Sequence, residues 1–156
     1  MPNKRPDFDL RSAHRHFAVT CFNETWKYIK KKRRSEEDNR AMLYNAMTSL
    51  WHWRQRKDAT STNFCISYWQ VSRVFALLGD ADNARLYGNL SLKASKGKGV
   101  EAVFAGFAYE AIARAESVAG NAPKRNAHLA KARKIAEKVT DAEDREALED
   151  DLATIK

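Results

Sequence analysis

Apolar side chains recur along this chain at the three-and-four spacing of helix faces, and no segment of useful length shows the two-residue alternation of a strand. Seven helices are predicted. The first covers about residues 10–32, with Phe17, Cys21, Phe22, Thr25, Trp26 and Ile29 on its apolar side. Ser35, followed by Glu36, Glu37 and Asp38, marks a second helix start, because a hydroxyl caps free N–H groups and acidic side chains suit the positive helix end. That helix runs to about Arg56 and is expected to bury Leu43, Ala46, Met47, Leu50 and one or both of Trp51 and Trp53. A third spans about 62–78 and a fourth about 82–95, with Ala84, Tyr87, Leu90, Ser91 and Ala94 facing inward. Gly79 supplies the left-handed backbone that ends the third, and Asp80 or Asp82 caps the fourth. The fifth, about 100–118, presents Val103, Phe107, Ala111, Ala115 and Val118. Gly120 ends it, and Pro123 suits the first turn of a sixth helix running to about Val139. Asp141 opens a last, acidic helix with a narrow stripe of Leu148, Leu152 and Ile155.

The pattern repeats. Tyr68 and Gly79 recur 41 residues later as Tyr109 and Gly120, and Trp26 precedes Tyr68 by 42. A helical hairpin cannot bury both of its apolar stripes alone, so recurrence at this period predicts hairpins stacked on one another. Residues 66–94 resemble a tetratricopeptide repeat: Tyr68, Val71, Ser72, Phe75, the Gly79-Asp80 turn and Ala84 fall at that family's internal spacing. Gly88 and Ser91 stand where bulkier residues or alanine are commoner, so the second helix should pack closely. The second copy keeps Tyr109, Ile112, Ala113 and Gly120, with Glu116 in the second aromatic position. Trp69 to Val74, Phe104 to Ala115 and the closing Asp151 to Ile155 are also similar to a group of small bacterial tetratricopeptide-like proteins, a likeness that bears on fold and leaves activity open. The resemblance implies an all-α, tetratricopeptide-like helical-hairpin solenoid of about seven helices. Residues 1–156 would form a single domain, with 1–9 a loose N-terminal extension and 141–156 a capping helix.

Composition narrows the class. At 156 residues, 44% hydrophobic and 31% charged, the chain is large and apolar enough to fold without disulfides or metal. Cys21 and Cys65 fall within predicted helices and are read as reduced thiols. No apolar run reaches the roughly 20 residues of a bilayer span, and the N-terminus leads into no signal-peptide core, so a cytoplasmic location and no membrane partner are expected. The net charge of +8 is uneven: residues 1–34 hold ten Lys/Arg against three Asp/Glu, and 141–156 hold two against seven. Such a gradient suits an acidic partner at one end, head-to-tail homo-oligomers, or simply solvated surface.

The resemblance assigns a concave groove to Ile66, Trp69 and Arg73 in one repeat and to Phe107, Glu110 and Arg114 in the next. Two guanidiniums beside aromatic surface would hold a carboxylate, a phosphate or an acidic peptide. Alternatively, Glu110 bridges Arg73 and Arg114 in an internal network that fixes the stacking angle. Both readings stand at this point.

Elsewhere, Trp51-His52-Trp53 cannot form one flat aromatic box, because consecutive helical side chains diverge; His52 is nonetheless the best titratable candidate for a pocket. His14 and His16 point about 200° apart on a helix, so they make no metal site, and neither metal nor cofactor is expected. Lys30, Lys31, Lys32, Arg33 and Arg34 form a patch for an anionic partner, but no nucleic-acid reading module accompanies it, and nucleic acid is not the expected ligand. Lys96-Gly97-Lys98-Gly99 lacks the full phosphate-loop pattern. No ordered nucleophile, base and acid set is present, which points away from an enzyme. The leading expectation is a non-catalytic domain binding a protein or peptide in its groove. The alternatives are a small-molecule or enzymatic pocket using His52, Arg73, Glu110 and Arg114, and an RNA-associated protein using residues 30–34.

Overall fold

The computed structural model describes residues 7–156, and among these every regular element is a helix. In order they are α1 (Leu10–Ile29), α2 (Glu36–Arg54), α3 (Ser61–Leu77), α4 (Ala81–Ala94), α5 (Ala102–Val118), α6 (Ala122–Ala136) and α7 (Ala142–Ala153). Residues 1–6, most of the expected N-terminal extension, lie outside the described residues. No described helix is long and apolar enough to cross a membrane.

The helices begin where capping chemistry places them. Ser35 accepts from the Asp38 N–H while Asp38 accepts from the Ser35 N–H, a reciprocal box that satisfies two backbone donors. Thr60 and Asn63 form the same box at α3. Asp80, Asn121 and Asp141 each cap their helices through one side-chain acceptor. Gly79 and Gly120 follow α3 and α5 at φ 79° and 71°, the left-handed conformation that ends a helix without steric cost. Gly79→Val should therefore lower stability by about 1 kcal/mol or more, read as a shift in the melting midpoint; an unchanged midpoint would count against the strain argument.

The chain divides into two compact units, one ending at Ala59 and the other running Thr60–Lys156. In the first, α1 and α2 form an antiparallel hairpin. Small side chains let the helices approach: Ala18, Ala46 and Ser49 are buried with Met42 and Leu50, and the Ser49 hydroxyl donates to the Ala18 carbonyl at 2.7 Å. This seam is rotated from the expected one. Phe17, Met47 and Trp51 stay 48%, 36% and 53% exposed, because a two-helix hairpin has a single seam and cannot cover a wide stripe on each helix. α1 also stops at Ile29 rather than near residue 32. Arg34 folds back to donate to the carbonyls of Ile29 and Lys31, so the basic run serves as connection and cap.

In the second unit α3 packs on α4, α5 on α6, and α3 and α4 on α5, an arrangement compatible with a stack of helical hairpins. The two hairpins repeat a detail: Tyr68 packs its ring near Tyr87, and Tyr109 stacks on His128, with both partners shifted by the same 41 residues. Val71 and Ile112 are fully buried, and Tyr68, Phe75 and Tyr109 are partly buried. The hydroxyls of Ser72 and Ser91 donate to the carbonyls of Ala84 and Cys65 across the α3–α4 seam, so their burial leaves no polar group unmet. At Gly88 a Cβ would lie 2.9 Å from Ile112 Cγ1, so the missing side chain sets the close approach of α4 to α5. α7 packs on α5 and α6. Leu148 and Leu152 are buried with Val103, Ala113, Leu129, Ala132 and Ala136, and Ile155 is packed against them.

Candidate functional site

The face of α3 and α5 carries all six residues expected to line the groove, and it separates them into a charged half and an apolar half. Glu110, wholly buried on α5, is the centre of the charged half. Its Oε1 accepts from the Arg114 Nε at 2.7 Å and from an Arg73 terminal nitrogen at 3.2 Å, and its Oε2 accepts from the Trp69 indole at 2.9 Å. A carboxylate out of water is costly unless it is paired and hydrogen-bonded, and these three donors meet both conditions. Helical spacing explains why they converge: Arg114 is one turn beyond Glu110 on α5, and Trp69 and Arg73 are one turn apart on α3. The Arg73 guanidinium lies 5.6 Å from the Trp69 ring, a cation over an aromatic face.

Sequence reasoning missed the other partners. Asp151 of α7 pairs with Arg73 at 2.9 Å, and Arg114 donates to the Asp151 carbonyl and the Thr154 hydroxyl at 3.0 and 2.7 Å. Burial pushes the Asp151 carboxyl above its ordinary value, and Arg73 opposes that rise. Both guanidiniums are thus already engaged by groups of the same chain. A signal was present in the acidic character of α7, but only the docking of that helix shows which acid faces inward. A second buried acid, Glu116 on α5, takes a paired contact from Arg85 of α4 at 2.6 and 3.3 Å. Hydrogen bonding to Arg85 holds its carboxyl below the usual value. A charged pair therefore occupies the place where the repeat pattern has an aromatic residue.

In the apolar half, Ile66, Trp69 and Phe107 join Cys65 and Phe104 around a recess of about 110 Å³. Trp69 meets Phe107 edge-on at 5.2 Å, so two packed aromatic rings form part of the wall of the recess. Cys65 is 1% exposed, and burial raises its thiol pKa, so it contributes packing rather than a nucleophile. Small-molecule sites occupy roughly 300–1,000 Å³. The recess is sized for one side chain.

The remaining candidates lie in the first unit. His52 is half-buried, with its ring 4.9 Å from Trp51 and 5.4 Å from Phe17. Burial, and then the neighbouring His14, lower its pKa from 6.5. Within the basic run, Lys31 pairs with Asp38 at 2.6 Å and Arg34 is turned onto Asn39 and the carbonyls of Ile29 and Lys31, while Lys30, Lys32 and Arg33 are exposed. Among the described residues, no group of three or more His, Cys, Asp and Glu is arranged to hold a metal. Comparison of the chain with protein-family models, curated proteins and solved structures found no match.

Proposed function

We propose that this chain is a non-catalytic, tetratricopeptide-like interaction domain that holds a peptide or protein segment against the α3–α5 face. The observation that carries the reading is the recess of Cys65, Ile66, Trp69, Phe104 and Phe107, whose lining is wholly apolar. Arg73, Glu110 and Arg114 serve this face indirectly. Their network fixes the angle between the hairpins and presents the Trp69 ring, while the partner contributes one apolar anchor. Free thiols at Cys21 and Cys65 fit a reducing compartment such as a bacterial cytoplasm.

A random-peptide display library selected on the whole chain tests this. Enriched peptides should share an aliphatic or aromatic anchor. Their binding should fall by roughly 2 kcal/mol or more in Ile66→Arg, the cost of losing a central anchor contact, at an unchanged melting midpoint. Leu86→Arg, at a residue of α4 that is 52% exposed, should leave binding intact. Equal losses in the two variants would overturn the assignment of the face.

A further inference from the structure

The first unit holds a feature that the interaction reading does not use. His14 of α1 and His52 of α2 are 38 residues apart in sequence, yet their Nδ1 atoms face each other at 2.8 Å. Two imidazoles at that distance share one proton as an N–H···N bond, and both cannot be cationic there without direct repulsion. The pair is flanked by two partly exposed aromatic rings: Trp51 lies 5.7 Å from His14 and 4.9 Å from His52, and Phe17 lies 5.4 Å from His52. His14 also borders an open cavity of about 500 Å³, whose wall carries Gln55 and Asp58 together with Arg11, Arg56 and Lys57. Asp58 is held by Arg11 and Arg56, each at 2.7 Å, which offsets part of that positive charge.

The geometry points to a two-imidazole site for a late divalent transition-metal ion of the Zn2+ or Cu2+ class, ligated by Nδ1 of His14 and Nδ1 of His52. Neutral imidazole is the protein ligand these ions favour, whereas Mg2+ and Ca2+ take oxygen. Metal–nitrogen bonds of about 2.0–2.1 Å place two nitrogens of a tetrahedral ion roughly 3.3 Å apart, so the pair widens by about half an ångström as the ion takes the place of the shared proton. That proton passes through water to the Nε2 of the donor ring and leaves both imidazoles neutral with Nδ1 free to ligate. Side-chain rotation supplies that movement, since the two rings sit on different helices. With two protein ligands, the site keeps open positions, filled by water from the adjoining cavity. Sequence spacing hides this pair, because the nearby candidate, His16, points another way along α1 and packs on Phe17 at 5.3 Å.

Titration of the untagged full chain with Zn2+ and with Cu2+, followed by calorimetry, should show saturable binding of one ion per chain, and Mg2+ should show none. His14→Ala and His52→Ala should each weaken binding roughly tenfold or more, while His16→Ala and His128→Ala leave it unchanged. Cu2+ should quench part of the tryptophan fluorescence, and that part should vanish in Trp51→Phe with the stoichiometry retained. The Trp51→Phe comparison keeps the test decisive if a histidine variant fails to fold. Absence of saturable binding, binding indifferent to both His14 and His52, or quenching that does not involve Trp51 would overturn the site.

Discussion

Glu110→Ala should be among the most damaging substitutions in the chain, lowering stability by roughly 3–5 kcal/mol in urea denaturation of the whole protein. The size follows from what is left behind. Arg73 and Arg114 have side chains only 8% and 14% exposed, and both would lose their shared carboxylate inside the fold. The Trp69 indole would lose its acceptor as well. Arg114→Ala should cost less, because Glu110 would keep its contacts from Trp69 and Arg73, and α7 would keep Asp151 on Arg73. The ordering carries the information. If the Glu110 variant cost no more than the Arg114 variant, Glu110 would not be the hub of the network. An apolar replacement of the whole group need not follow the same rule, since well-packed hydrophobic residues often match a buried ion cluster in stability.

How much of this was legible in the sequence depends on the range of the interaction. Local features were readable because one helix turn decides them: the Ser35 and Asp141 caps, the α4 cap narrowed to Asp80 or Asp82, the left-handed Gly79 and Gly120, and the Leu148, Leu152 and Ile155 stripe. The convergence of Arg73, Glu110 and Arg114 was also readable, from four-residue spacing combined with repeat position. Tertiary choices were not. Nothing in the pattern of α2 favours Ser49 over Met47 for the seam, since the decision rests on close approach to Ala18. Exposure of Trp51 follows from the same hairpin geometry. Asp151 is one of seven acids in residues 141–156, and only the seating of α7 selects it for Arg73. The His14–His52 contact depends on the register between two helices and has no counterpart in either segment alone.

The seating of α7 should itself be measurable as a reversal of sign. Leu148 is fully buried, and its Cδ2 would lie only 2.5 Å from a Cβ built on Gly106 of α5, with Ile135 Cγ2 at 3.2 Å behind it. Leu148→Ala should cost about 2–5 kcal/mol, the range for emptying a packed leucine site. Gly106→Ala alone sets two effects against each other. Alanine favours a helix interior by about 1 kcal/mol, whereas crowding a packed core costs about 1–3 kcal/mol. Crowding wins in the natural chain, because Leu148 has no solvent side into which to withdraw. In the Leu148→Ala background the closest obstruction is gone, Ile135 at 3.2 Å need give only a few tenths of an ångström into the vacated space, and a methyl group partly refills it, so Gly106→Ala should there become stabilising by up to about 1 kcal/mol. Four proteins in a double-mutant cycle, compared by urea midpoint and slope, give the answer. An equal effect of Gly106→Ala in both backgrounds, with no coupling between the two substitutions, would mean that α7 does not rest on α5 at this glycine, and the contact between Asp151 and Arg73 would lose its support with it.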